Sequence, residues 1–132
     1  MSTIKYEVIF EPFTERHFIK TFARKYCGSW DVTASFLAEE FKFFDALLEK
    51  SIAEIIIRSL EVNICKTEFK IAGTPESRHG SGNRCIVAVH KNIGQVRVLL
   101  VYHKNNLGSG NETTCWKKLV KENYSDYRNY LA

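Results

Sequence analysis

The sequence predicts an α+β fold with elements in the order β-α-α-β-β-β-α. Two early segments carry apolar residues at helical spacing, Phe18, Phe22 and Tyr26 in one and Leu37, Phe41, Phe44 and Leu48 in the other. Three later segments are β-rich and either alternate or run apolar, around residues 64–71, 84–90 and 96–103. Hydrophobic residues make up 45% of 132 residues, enough for a single core, so one domain spanning 1–132 is expected. An early helical pair followed by an antiparallel meander places helices over one face of one sheet.

Taken in order, residues 6–10 alternate and read as a first strand, closed by Pro12. Thr14 is suited to cap a helix reaching about residue 26, where Gly28 breaks it. A second helix begins near Asp31–Thr33 and completes an antiparallel hairpin of helices. Residues 52–60 fit two patterns: Ile52, Ile55, Ile56 and Ser59 suit a short helix, whereas Ile55-Ile56-Ile57 suits a strand. A helical extension or an irregular link is the reading adopted. Next, Thr67, Phe69 and Ile71 alternate with Lys66, Glu68 and Lys70, as in a strand with one wet face. The loop of residues 72–83, rich in Gly, Ser and Pro, is long for a hairpin connection, and such loops often carry function.

Residues 84–90 and 96–103 form a hairpin around Gly94. A second loop, 105–111, leads to a last helix over about 115–122, capped by Thr113 or Thr114 and docked by Trp116, Leu119 and Val120. The tail of residues 124–132 packs or frays.

The net charge is +4, which favours anionic partners only where the cations gather. Arg16, Lys20 and Arg24 make a basic stripe on the first helix, by default a solvated face. The four cysteines, Cys27, Cys65, Cys85 and Cys115, have neither metal-ligand nor redox spacing, so reduced thiols, no disulfide and no metal are expected. No run is long and apolar enough to span a bilayer, and Met1-Ser2-Thr3-Ile4-Lys5 lacks the shape of a signal peptide. A soluble cytoplasmic protein without membrane contact or small-molecule cofactor is therefore expected.

The most informative stretch is 82–104. The second strand of the hairpin ends in Tyr102-His103-Lys104, and Arg84 opens the first. An antiparallel return brings these ends together, so Arg84 is expected close to the Tyr-His-Lys cluster. A phenol, an imidazole and two fixed cations are suited to bind a phosphodiester and to cut it. RNA cleavage through the 2′-hydroxyl needs a base, a cation for the phosphate oxygens and an acid for the leaving 5′-oxygen. His103 supplies the imidazole, the side chain that titrates near neutral pH. Arg84 and Arg97 offer planar forks for phosphate, Lys104 a point charge and Tyr102 a hydrogen bond. No metal is required by this scheme.

Strand alternation puts Val98, Leu100 and Tyr102 on one face and Arg97, Leu99, Val101 and His103 on the other, so only one of Tyr102 and His103 faces a substrate unless the strand bends. On chemistry that residue is His103. Lys66, Lys70, Arg78 and His79 stand where they could reach RNA, although a wet strand face and a solvated loop explain them as simply. Arg84 could instead pair with Glu68. His17 and His90 suggest only surface or turn roles.

The segments Tyr6-Glu7-Val8-Ile9-Phe10, Lys66 to Ile71, Gly82-Asn83-Arg84-Cys85-Ile86-Val87 and Val98 to Lys104, in this order of elements, resemble the RelE/ParE superfamily of toxins from type II toxin–antitoxin systems. The resemblance covers most of the chain up to Lys104, and the segment from Asn111 onward looks like a subgroup elaboration. It implies a compact basic domain with a curved sheet, and a cognate antitoxin that covers the basic sheet face. It further implies an mRNA endoribonuclease, ribosome-dependent or free, with Arg84 on the central strand and Tyr102 and His103 at the end of the last strand. The superfamily also contains toxins that poison gyrase. A toxin that works by binding alone, and an interaction module without catalysis, are the alternative readings.

Overall fold

The computed structural model describes residues 4–131. The expectations that fall on Met1–Thr3 and on Ala132 lie outside the described residues. One five-stranded mixed sheet organises the chain in the spatial order β1-β5-β4-β3-β2. Its strands are β1 (Glu7–Phe10), β2 (Ala53–Ile57), β3 (Asn63–Phe69), β4 (Asn83–His90) and β5 (Gln95–His103). β1 runs parallel to β5, and every other pair is antiparallel.

The helical hairpin follows β1. α1 (Pro12–Thr14) continues through a π-turn at Glu15–Ile19 into α2 (Lys20–Lys25). Pro12 starts this helix as well as closing the strand, because its fixed φ and missing N–H suit the first helical turn. Thr14 is not the cap expected of it. Its buried side chain accepts the Val101 N–H at 2.9 Å, a backbone donor on the part of β5 that β1 leaves unpaired. Tyr124 does the same from the other side, donating its hydroxyl to the Leu99 carbonyl at 2.6 Å. Two side chains thereby close an exposed strand edge.

The second arm of the hairpin is two helices, α3 (Ser29–Phe41) and α4 (Phe44–Glu49), where the sequence reads as one. The break lies where the Tyr6 N–H takes the Lys42 carbonyl at 2.7 Å, so the chain entering β1 satisfies a helix-end acceptor. Phe41 and Phe44 flank the break and are fully buried. Each contributes on the order of 1.5–3 kcal/mol by burial alone.

Residues 53–57 form β2, which corrects the helical or irregular reading of that stretch. Three successive β-branched isoleucines fit the pleat better than a helical turn, and β3 offers a partner, with Glu54 opposite Lys66.

Helices cover both sheet faces, not one. On the first face Phe22, Trp30, Leu37, Phe41 and Phe44 pack with Phe69, Cys85, Val87, Val98 and Val101. On the second, α5 (Glu112–Asn123) and a 3-10 turn at Ser125–Leu131 bring Trp116, Val120, Tyr127 and Leu131 onto Ile64, Ile86, Leu100 and Tyr102. α5 begins earlier than the sequence suggests, because Asn111, not Thr113 or Thr114, is its cap and accepts the Thr114 N–H at 3.1 Å. The tail packs, with Tyr127 and Leu131 buried. Two outcomes of the β4–β5 register matter for function. Arg84 sits opposite Tyr102 and Asn83 opposite His103, and a bulge at Ile86/Val87 puts Leu99 and Leu100 together in the second cluster. Val98 consequently joins the face of Val101 and not that of Tyr102.

Candidate functional site

Glu68 on β3, Arg84 on β4 and Tyr102 on β5 are consecutive register partners, so they form a row across three strands on the second face. Arg84 is 3% exposed. Its Nη2 lies 3.0 Å from Glu68 Oε2, and Nη1 donates to the Asn83 carbonyl at 3.1 Å. A buried guanidinium demands such a partner, because an unpaired buried charge is costly. Glu68 Oε2 also meets His79 Nδ1 at 2.7 Å. One carboxylate oxygen thus holds a buried guanidinium and an imidazole whose side chain is 83% exposed.

A second carboxylate completes the group. Glu112, the first residue of α5, accepts the Tyr102 hydroxyl at 2.7 Å and pairs with Lys66 Nζ at 3.2 Å, both through Oε2. Burial works to raise the Glu112 pKa, but the Tyr102 hydroxyl, Lys66 and Arg84 outweigh it and hold the carboxyl below its usual range. Burial, followed by the bond to Glu112, pushes the Tyr102 phenol far upward, so it acts as a fixed donor.

Lys66, Glu68, His79, Arg84 and Glu112 line a cavity of about 600 Å³, together with Ile52, Glu54 and Lys104, whereas Tyr102 is buried and reaches it only through its bond to Glu112. β2 and β3 supply its floor, the start of α5 one wall, and the loop of 72–82 another. That loop is folded by its serines. Ser77 Oγ accepts the Gly80 N–H at 2.9 Å, and Ser81 Oγ accepts the Asn83 N–H at 3.0 Å. The loop is therefore anchored where it carries His79 over Glu68.

Of the residues expected from sequence, Lys66, Arg84, Tyr102 and Lys104 come together here. His103 does not. Its ring lies on the first face beside Thr21, Phe22, Lys25, Tyr26, Asn83 and Asn106, and Nδ1 accepts the Asn105 N–H at 3.1 Å. The expected convergence of that imidazole with the Arg84 guanidinium is not found, because the strand does not bend at its end and adjacent residues keep opposite faces. Lys70 is exposed, donates to the Thr74 carbonyl at 3.3 Å and lines a different hollow. Arg78 lines that hollow too and forks onto Glu40, with Nη1 to Oε1 at 3.1 Å. Arg97 stands five residues before Tyr102, roughly 16 Å of strand away, and pairs with Glu11 at 3.1 Å. These three cations are bound elsewhere and do not share the cavity.

Glu112 and Glu54 carry no sequence signal for this site, and nothing in the sequence pairs Glu68 with His79. The signal available is the pairing of β3 with β4, which sets Glu68 against Arg84. Among the described residues, no three His, Cys, Asp or Glu side chains are placed to hold a metal ion. Cys65 and Cys85 are buried, and burial pushes the Cys65 thiol up to about 12. No helix among the described residues is long and apolar enough to cross a membrane. In comparisons with known proteins, no family model matches the chain, and neither a curated protein nor a solved structure is detectably similar to it.

Proposed function

We propose that this protein is the toxin of a type II toxin–antitoxin system of RelE/ParE type, a cytoplasmic endoribonuclease acting on mRNA, free or on the ribosome. Its partner would be a cognate antitoxin protein. The observation that carries the reading is the His79 imidazole, held by Glu68 at the mouth of a cavity that also presents Lys66 and Lys104. The acid–base role that the sequence suggested for His103 passes to His79.

RNA carries its own nucleophile, which suits such a site. Glu68 fixes the ring through Nδ1 and turns Nε2 outward. Nε2 takes the proton of the 2′-hydroxyl, and the 2′-oxygen bonds to phosphorus. The bond from phosphorus to the 5′-oxygen breaks, leaving a 2′,3′-cyclic phosphate on one fragment. The Lys104 ammonium gives a proton to the departing 5′-oxygen, and Lys66 lies against the non-bridging oxygens. Arg84 braces Glu68 from behind.

Inducible expression with and without the flanking gene, followed by primer extension on a reporter message, tests the proposal. His79→Ala is expected to reduce cleavage by about a hundredfold or more, the typical contribution of a positioned acid–base group. His103→Ala is expected to stay within a few-fold of the parent. Cleavage that survives H79A would remove His79 from the chemistry, and growth arrest with intact messages and damaged DNA would replace this reading with that of a non-nucleolytic, gyrase-directed toxin.

A further inference from the structure

We propose that the Lys66 ammonium and the Tyr102 hydroxyl form an oxyanion seat for a phosphate, and that the Glu112 carboxylate is its built-in competitor. Assigning that phosphate to an RNA backbone rests on the function proposed above; the seat itself does not.

The two donors converge on a single oxygen, Glu112 Oε2, at 3.2 and 2.7 Å. A non-bridging phosphate oxygen accepts the same pair of contacts. The neighbouring residue of the row carries a further, unpaired donor. Arg84 Nε is buried without a hydrogen-bond partner, on a residue that lines the cavity and stands opposite Tyr102 on the next strand. A buried N–H left in that state costs free energy, and an incoming oxygen would recover it. The position also opens α5, a helix of 12 residues whose first turn favours negative charge.

Charge balance explains why the seat is filled from within. The lining holds three fixed cations, Lys66, Arg84 and Lys104, against three carboxylates, Glu54, Glu68 and Glu112. A phosphate that replaces Glu112 keeps the charges matched, whereas one that enters beside it brings uncompensated negative charge into a half-buried site. Glu112 can leave without taking the helix with it. Trp116 and Val120 are fully buried and hold α5 to the sheet, and the chain before it turns at Gly108 and Gly110, both at positive φ.

The test is a titration of the folded chain with inorganic phosphate, followed by phosphorus-31 and amide resonances. Glu112→Gln keeps the size of the side chain and its acceptor for Tyr102 while removing the charge that holds Lys66. It is expected to tighten phosphate binding about tenfold, equivalent to ~1.4 kcal/mol. Adding Lys66→Met to E112Q is expected to abolish that gain. Phosphate binding no tighter in E112Q than in the parent, or a gain that survives K66M, overturns the seat. A parallel titration uses a short 2′-O-methyl oligouridylate, which lacks the hydroxyl needed for cleavage. Tightening for this strand as well as for phosphate supports a nucleic-acid occupant. Tightening for phosphate alone keeps the seat and overturns its assignment to RNA, independently of whether His79 proves catalytic.

Discussion

The two faces of the sheet at the Asn83–His103 end use similar side chains for opposite purposes. On the second face Glu68, Arg84 and Tyr102 lie in a row beneath a cavity, with Glu68 tied to Arg84 and Tyr102 to Glu112. On the first face, one residue further along each strand, Asn83 and His103 sit against Phe22, Lys25 and Tyr26 in a hollow of only about 40 Å³. The chemistry-bearing residue nearest the end of the last strand is thus on the crowded face, and the roomy face takes its imidazole from a loop. A titratable side chain in a promising sequence position counts for little until strand parity is known.

The largest expected effect breaks the roomy face. Glu68→Gln leaves the Arg84 guanidinium buried beside a neutral amide and is expected to cost about 3 kcal/mol in urea denaturation. The E68Q/R84M pair, which removes both charges, is expected to lie much closer to the parent. If E68Q alone falls within about 0.5 kcal/mol of the parent, as surface substitutions do, then Arg84 reaches solvent and the row is not a buried ion pair.

The crowded face is tested at Gly82. This residue has φ +77°, and a Cβ there would lie 2.6 Å from His103 Nε2. Gly82→Ala is expected to cost about 1–2 kcal/mol, from left-handed strain together with displacement of the ring. In a His103→Ala background only the backbone part, roughly 1 kcal/mol, should remain. Equal costs in the two backgrounds would mean that the ring moves freely and does not pack against the turn.

The same contrast explains what the sequence disclosed. The hairpin of β4 and β5 was legible because two β-rich runs flank a glycine turn, and it correctly implied that Arg84 and Tyr102 are neighbours. β3 was legible from its alternation. β2 was not, because Ile55-Ile56-Ile57 has no period and only its pairing with β3 selects the extended form. The stripe of Trp116 and Val120 disclosed a helix, whereas its placement on the opposite face from α2 and α3 is set by topology and not by composition. The site was half visible. Its strand residues follow from register, but His79 depends on serine-held turns within a loop, and Glu112 on where α5 begins. The bulge that gathers Leu99 and Leu100 on one side left no mark in the pattern of a continuously apolar strand.

The smallest expected effect sharpens the comparison from the far end of the second face. There His90 Nε2 meets the Tyr127 hydroxyl at 2.7 Å and ties the C-terminal turn to β4. Burial, followed by the nearby Arg97, lowers the His90 pKa from its usual 6.5. Between the folded and unfolded values the unfolded chain binds more protons, so stability rises with pH. The contribution is complete above 6.5 and is lost as pH falls through the folded value. The urea midpoint should therefore drop between pH about 7.5 and about 5.5, and His90→Gln, which retains a partner for Tyr127, should flatten part of that slope. Glu112, whose pKa lies below its usual 4.5, has the same sign in a separate, more acidic window. E112Q should consequently leave the near-neutral slope unchanged and reduce only the acidic one. A near-neutral slope that responds to E112Q but not to H90Q would move the pH sensitivity from the tail contact into the cavity.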